Sequence, residues 1–150
     1  ANKGMFFMVF TIASLLVRFV AGKASDKYGR LKLINVGLVF LIFSLVITGF
    51  STTATGLLFG AFVYGIATGI VSPALNAWTV DMSFPEHRGK AMATMYIALE
   101  AGIGLGALFS GWVYQDAISK IPMLMYFSAG VTLLALLYVW YRLKYKEATL

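Results

Sequence analysis

Gly22-Lys23-Ala24-Ser25-Asp26-Lys27-Tyr28-Gly29-Arg30-Leu31-Lys32 is the stretch whose reading decides the fold. Five of its eleven residues are charged and two are glycine, while long apolar runs lie on both sides. Such runs belong to the hydrocarbon of a bilayer, and the charged stretch between them belongs outside it.

Composition agrees with that division. The chain has 150 residues, 60% hydrophobic and 12% charged, with a mean hydropathy of +0.83. A soluble domain carries roughly 25% charged residues, so this chain lacks the polar surface to face water all round. The unit of organisation is a spanning helix of about 20 residues. Five are expected, over about 5–21, 33–50, 57–80, 91–114 and 123–141. The net charge of +6 would suggest nucleic acid for a soluble protein. Here the basic residues cluster between apolar runs, which points to lipid headgroups and excludes a nucleic-acid role. There is no cysteine, and hence no disulfide, thiolate catalysis or cysteine metal site. No cleavable signal peptide is evident. The chain opens at Ala1 rather than methionine, which reads as a fragment or a processed chain.

Polar residues within the spans fall in patterns. In the first, Thr11, Ser14, Arg18 and Gly22 share a helical face. Arg18 on this face either lines a protein-facing path or snorkels to the nearby interface. The second span has no charge, and Asn35, Ser44 and Thr48 are its few polar groups; it reads as a peripheral, lipid-facing helix. In the third, Tyr64, Thr68, Ser72 and Asn76 form a ridge. Its Gly65 and Gly69 permit close helix approach, and Pro73 predicts a kink. The fourth carries Glu100, about 15 Å along the helix from the second charged loop at 1.5 Å per residue. Tyr96 lies one turn earlier, and Gly102, Gly104, Gly106 and Gly111 supply a close-packing face. The fifth is aliphatic and aromatic, a second lipid-facing helix.

Alternation of five spans puts Lys23, Lys27, Arg30, Lys32, Arg88, Lys90, Arg142, Lys144 and Lys146 on one side, and only Lys3 and Lys120 on the other. The excess predicts that the charged stretch and the C-terminus are cytoplasmic.

Enzyme constellations are absent. The single histidine, His87, lies in a charged loop, and no H-E-x-x-H, G-x-S-x-G or G-K-[ST] pattern occurs. No cofactor and no metal site is implied. Glu100 is the sharpest single residue, because a carboxylate deep in a bilayer costs several kcal/mol unless protonated, paired or hydrated. Burial raises a carboxyl pKa toward a range where it exchanges protons. It reads as a proton or cation site, or as a structural acid, neutral or paired with Arg18.

The charged stretch resembles the loop signature of the major facilitator superfamily, G-x-x-x-D-[RK]-x-G-R-[RK]. Gly22, Asp26, Lys27, Gly29 and Arg30 match in place, whereas Leu31 stands where a basic residue is usual. The resemblance implies an all-α integral membrane fold, five helices of a twelve-helix transporter working by alternating access. The signature occurs between helices two and three and again between eight and nine. The third span offers no arginine for the helix-four pattern of the N-terminal half, and the fourth has Gly106-Ala107 in place of the Gly-Pro of antiporters. The stretch 85–90 is similar to the P-x-x-R-G loop between helices ten and eleven. These features favour helices eight to twelve of the C-terminal half, with the N-terminal half as partner. Gly22, Asp26, Lys27, Gly29, Arg30, Asp81, Glu86 and Arg88 would then serve a cytoplasmic gate, with Asp81 or Glu86 as acids for Arg30. Arg18, Tyr64, Thr68, Asn76, Tyr96 and Glu100 would line the substrate and proton pathway. The expected function is proton-coupled efflux of drugs or small metabolites across the cell (plasma or inner) membrane, in contact with membrane lipids. The alternatives are a symporter for a small polar solute and a structural or regulatory membrane module.

Overall fold

The computed structural model describes residues 3–114 and 118–147; the expected link residues Gln115 and Asp116, and the side chains of Lys3, Lys146 and Glu147, lie outside the described set. The main elements are α1 (Lys3–Tyr28), α2 (Arg30–Phe50), α3 (Ala54–Asp81), α4 (Arg88–Tyr114) and α5 (Ile121–Glu147). Single 3-10 turns at Pro85–His87 and Ile118–Lys120 precede α4 and α5. Five helices are long and apolar enough to cross a membrane, and no strand occurs among the described residues.

The charged stretch is more helical than a loop reading implies. Helix α1 continues through it to Tyr28, and only Gly29 leaves helical geometry before α2 begins. Gly29 adopts φ 93°, a left-handed conformation that side-chain-bearing residues rarely take. Nothing else in 22–28 breaks a helix. About 20 residues cross the hydrocarbon, so the last turns of the 26-residue α1 project beyond it. Helix α3 likewise passes Pro73 without interruption. At its other end the Thr53 hydroxyl accepts a hydrogen bond from the Gly56 N–H at 3.2 Å, capping the helix.

Helix α3 lies between α1 and α2, and α2 also packs on α5. The α1–α3 contact depends on absent side chains. A Cβ on Gly65 would lie 2.5 Å from the Phe10 carbonyl oxygen, and one on Gly69 would lie 2.8 Å from that of Ser14. The G-x-x-x-G pair thus does what its spacing predicts, bringing two backbones together. Helix α2 is less peripheral than its lack of charge suggests. Its Leu31, Ile34 and Leu38 form the main buried cluster with Ala74 and Val139, while Val36, Val39, Phe40 and Phe43 face outward. Ser44, fully buried, donates to the Gly60 carbonyl at 3.1 Å and ties α2 to α3. A second correction concerns α4. It has no buried residue, and Gly102, Gly104, Gly106 and Gly111 have no neighbour within 4 Å of a Cβ position. Their close-packing face meets no neighbour among the described residues. Among the contacts that α4 does make are a Phe109–Phe127 stack on α5, centroids 4.7 Å apart, and a hydrogen bond from Thr79 to the Met95 sulfur at 3.1 Å.

Candidate functional site

The expected gate residues converge on one side chain. Arg30, first residue of α2, donates from Nε to Asp81 at the end of α3 at 3.0 Å. Its Nη1 donates to the buried Ser25 hydroxyl at 3.0 Å and also meets Asp26. The guanidinium therefore joins the last turn of α1, the start of α2 and the end of α3. Its pKa is raised above the ordinary arginine value, chiefly by the hydrogen bond to Asp81 and next by that to Asp26. Gly29 makes this possible by turning the chain in a single residue, so that Asp26 and Arg30 remain within reach across the helix break.

Other members of the expected gate lie apart. Glu86, within the one-turn helix before α4, and Arg88, the first residue of α4, are exposed, and Arg30 takes Asp81 rather than Glu86. Lys27 is exposed, its ammonium 5.3 Å from the Tyr28 ring centroid. Gly22 has open space where a Cβ would go, so it supports no close helix contact among the described residues. Ser25 was not singled out by sequence reasoning. Its one signal is a small hydroxyl residue directly before the matched aspartate.

The second feature is a groove of about 440 Å³ between α2, α3 and α4. Thr68, Ser72 and Asn76 of the polar ridge line it, together with Tyr96, Met95 and Leu99 of α4 and Leu41 of α2. Three pathway residues, Thr68, Asn76 and Tyr96, thus come together. The others do not. Tyr64 packs on Phe10 of α1, ring centroids 5.4 Å apart, because the α1 backbone approaches the Gly65–Gly69 face beside it. Arg18 is exposed, although Ser14 on its nominal face is buried against α3. Glu100 is exposed and does not line the groove. At about 100° per residue it points roughly 120° from the centre of the lining face defined by Met95, Tyr96, Ala98 and Leu99. No ion pair joins Glu100 to Arg18 among the described residues. The Thr68 hydroxyl also donates to the Tyr64 carbonyl at 3.0 Å, so it is held against its own helix. Met95 was missed because a thioether carries no polarity signal; its place beside Tyr96 was the available clue.

Five helices long and apolar enough to cross a membrane, a charged cluster at a helix break and a polar-edged groove among apolar helices are the features of a multi-span membrane protein. The profile of the Major Facilitator Superfamily matches residues 2–150. The chain belongs to that superfamily, a family of transporters. It is 28% identical over 135 residues to multidrug resistance protein 2 of Bacillus subtilis strain 168, covering 90% of this chain and 33% of that protein. Multidrug resistance protein 1 of the same organism is 29% identical over 126 residues, 84% of this chain and 32% of its own length. A D-xylose transporter of Levilactobacillus brevis is 21% identical over 130 residues, covering 81% and 28%. The chain thus spans about a third of the length of the curated relatives it matches.

Proposed function

We propose that this chain supplies helices eight to twelve of a secondary transporter that exports drugs or small metabolites in exchange for protons. The charged end of the bundle faces the cytoplasm across the plasma or inner membrane. The observation that carries the reading is the α3–α4 groove. A hydroxyl and amide ridge on one wall faces a tyrosine and a thioether on the other, in a bundle otherwise apolar. Apolar cavities with a few convergent polar groups suit amphipathic small molecules, and the likeness to two multidrug resistance proteins supports that substrate class. The basic excess at the Arg30 end supports the orientation. Arg30–Asp81 closes that end in one state, and alternating access requires the pair to part in the other.

Glu100 is the proton-carrying group in this reading. Its position in a 27-residue helix with no buried residue leaves it to face the other helices of the complete transporter. The test uses the full-length protein in proteoliposomes under an imposed proton gradient. Glu100→Gln abolishes proton-coupled flux while insertion is unchanged; undiminished coupling removes Glu100 from the mechanism. The likeness to a D-xylose transporter keeps uptake of a small polar solute as the second reading. Accumulation of substrate with, rather than against, the inward proton gradient selects it.

A further inference from the structure

Arg18 and Glu100 are opposite charges inside spanning helices, on α1 and α4, both of which touch α3. Both are exposed, and neither has a hydrogen-bond or ion-pair partner among the described residues. They lie at nearly one depth. Arg30 holds Asp26 and Asp81 level with one another at the charged end. Arg18 precedes Asp26 by eight residues of α1, about 12 Å at 1.5 Å per residue. On α4, Met95 meets Thr79, two residues before Asp81, and Glu100 follows Met95 by five, about 10 Å from the same level.

The two side chains also turn toward one space. Ala13, Ser14 and Val17 carry the α1 contact with Gly65 and Gly69, and at about 100° per residue Arg18 stands roughly 90° to one side of that face. Helix α3 presents Gly65 and Gly69 to α1 and Thr68, Ser72 and Leu75 to the α4 groove. By the same wheel, α4 sits on the side to which Arg18 turns. Because α4 runs antiparallel to α1, the roughly 120° between Glu100 and its groove face turns Glu100 back toward α1. Helices α1 and α4 do not pack on one another among the described residues, so the charges look onto an open gap. Ser72 and Asn76, at that level of α3, line the adjoining groove.

We infer that Arg18 and Glu100 are the two ends of a binding site for a small zwitterionic solute, its carboxylate on the Arg18 guanidinium and its ammonium on the Glu100 carboxylate. The inference rests on the transport reading above and names its substrate class. Charges at bilayer depth are costly unless they are paired or face water, and these two do not meet each other. A zwitterion satisfies both and leaves the occupied site without net charge. A simple cation would leave Arg18 uncompensated, and a simple anion would leave Glu100 so. The substrate ammonium and a proton then compete for one carboxylate, which is what their exchange requires.

The test uses the purified full-length transporter in detergent at neutral pH, with four probes of one skeleton: 4-(aminomethyl)benzoate, benzylamine, benzoate and benzyl alcohol. Saturation-transfer NMR titrations read their affinities. The zwitterion 4-(aminomethyl)benzoate binds most tightly. Arg18→Gln lowers its affinity about tenfold and leaves that of benzylamine unchanged, whereas Glu100→Gln lowers it about tenfold and leaves that of benzoate unchanged. Arg18→Lys, which keeps the charge, retains most of the binding. Equal affinity for the four probes overturns the inference. So does a loss of benzylamine binding in Arg18→Gln, which makes Arg18 a structural residue. If the exchanged pair Arg18→Glu with Glu100→Arg restores a folded yield that each single change loses, the two side chains pair with each other, and the inference falls as well. Proton-driven flux without preference for the zwitterion refutes this inference and leaves the transport reading standing; preferential zwitterion binding without proton-driven flux does the reverse.

Discussion

Arg30 and Asp81 lie 51 positions apart in sequence, and Arg30 Nε meets an Asp81 carboxylate oxygen at 3.0 Å. The contact ties the start of one spanning helix to the end of the next, beyond the hydrocarbon, where water partly screens it. Exposed pairs of this kind contribute roughly 0.2–1 kcal/mol. That is little for folding, yet it is enough to bias two conformations separated by a few kcal/mol. In the full-length protein, Arg30→Gln and Asp81→Asn each open the charged end, read as faster labelling of a cysteine placed at Ser83. A double-mutant cycle gives a coupling near 1 kcal/mol or less. Strictly additive labelling rates would show that the pair does not act as a latch.

Gly29 holds the left-handed turn that sets Arg30 against Asp26 and Asp81. A side chain there strains the backbone by about 1–2 kcal/mol, although open space surrounds the Cβ position. Gly29→Ala therefore lowers the unfolding temperature in detergent, and Gly29→Asn lowers it too, because φ 93° with ψ 146° is a region that only glycine occupies and not the αL turn that asparagine tolerates. An unfolding temperature unchanged in either variant would point away from backbone geometry.

Gly65 and Gly69 admit the α1 backbone at distances that leave no room for a methyl group. The opposing atoms are carbonyl oxygens, which cannot swing aside as a side chain can. Overpacking of this kind costs about 1–3 kcal/mol. Gly65→Ala reduces the folded fraction after solubilisation and Gly65→Leu abolishes it, measured by size-exclusion profile. A monodisperse Gly65→Leu protein would contradict the close α1–α3 contact.

Ser44 is a buried hydroxyl with one partner, the Gly60 carbonyl. Interhelical hydrogen bonds in bilayers average about 0.6 kcal/mol and reach roughly 1.7. Ser44→Ala is expected within that range by reversible unfolding in mixed micelles, with transport unaffected. A loss well above it would mean that Ser44 holds more than this bond.

Asn76 of α3 and Tyr96 of α4 both line the α3–α4 groove. Loss of a hydrogen bond to bound substrate costs about 0.5–1.5 kcal/mol, or up to roughly tenfold in affinity. Asn76→Leu and Tyr96→Phe raise KM for polar-headed substrates more than for purely apolar ones, with membrane insertion unchanged. A uniform change across substrates would place both residues outside the binding path.

Much of this chain is legible from sequence because hydropathy and charge are local. Each apolar run of about 20 residues declares a span by itself, and Gly22, Asp26, Lys27, Gly29 and Arg30 declare a signature by spacing alone. The third-span ridge and the Gly65–Gly69 pair were likewise readable, since a helix has a fixed period. Period identifies a face without saying what meets it. Tyr64 and Thr68 share the ridge, yet one packs on Phe10 and the other lines the groove. Glu100 and Tyr96 stand one turn apart, yet only Tyr96 reaches that groove.

The sequence alone determined the solvent, the number of spans and the clustering of basic charge at one end, because each is a sum over neighbouring residues. The tertiary structure decided the pairings: Arg30 with Asp81 rather than Glu86, Ser44 with Gly60, and α2 against both α3 and α5. Those depend on where helices end and how closely backbones approach. Gly29 and the Gly65–Gly69 face set these distances by having no side chain, and only a folded chain shows what fills the space that they leave.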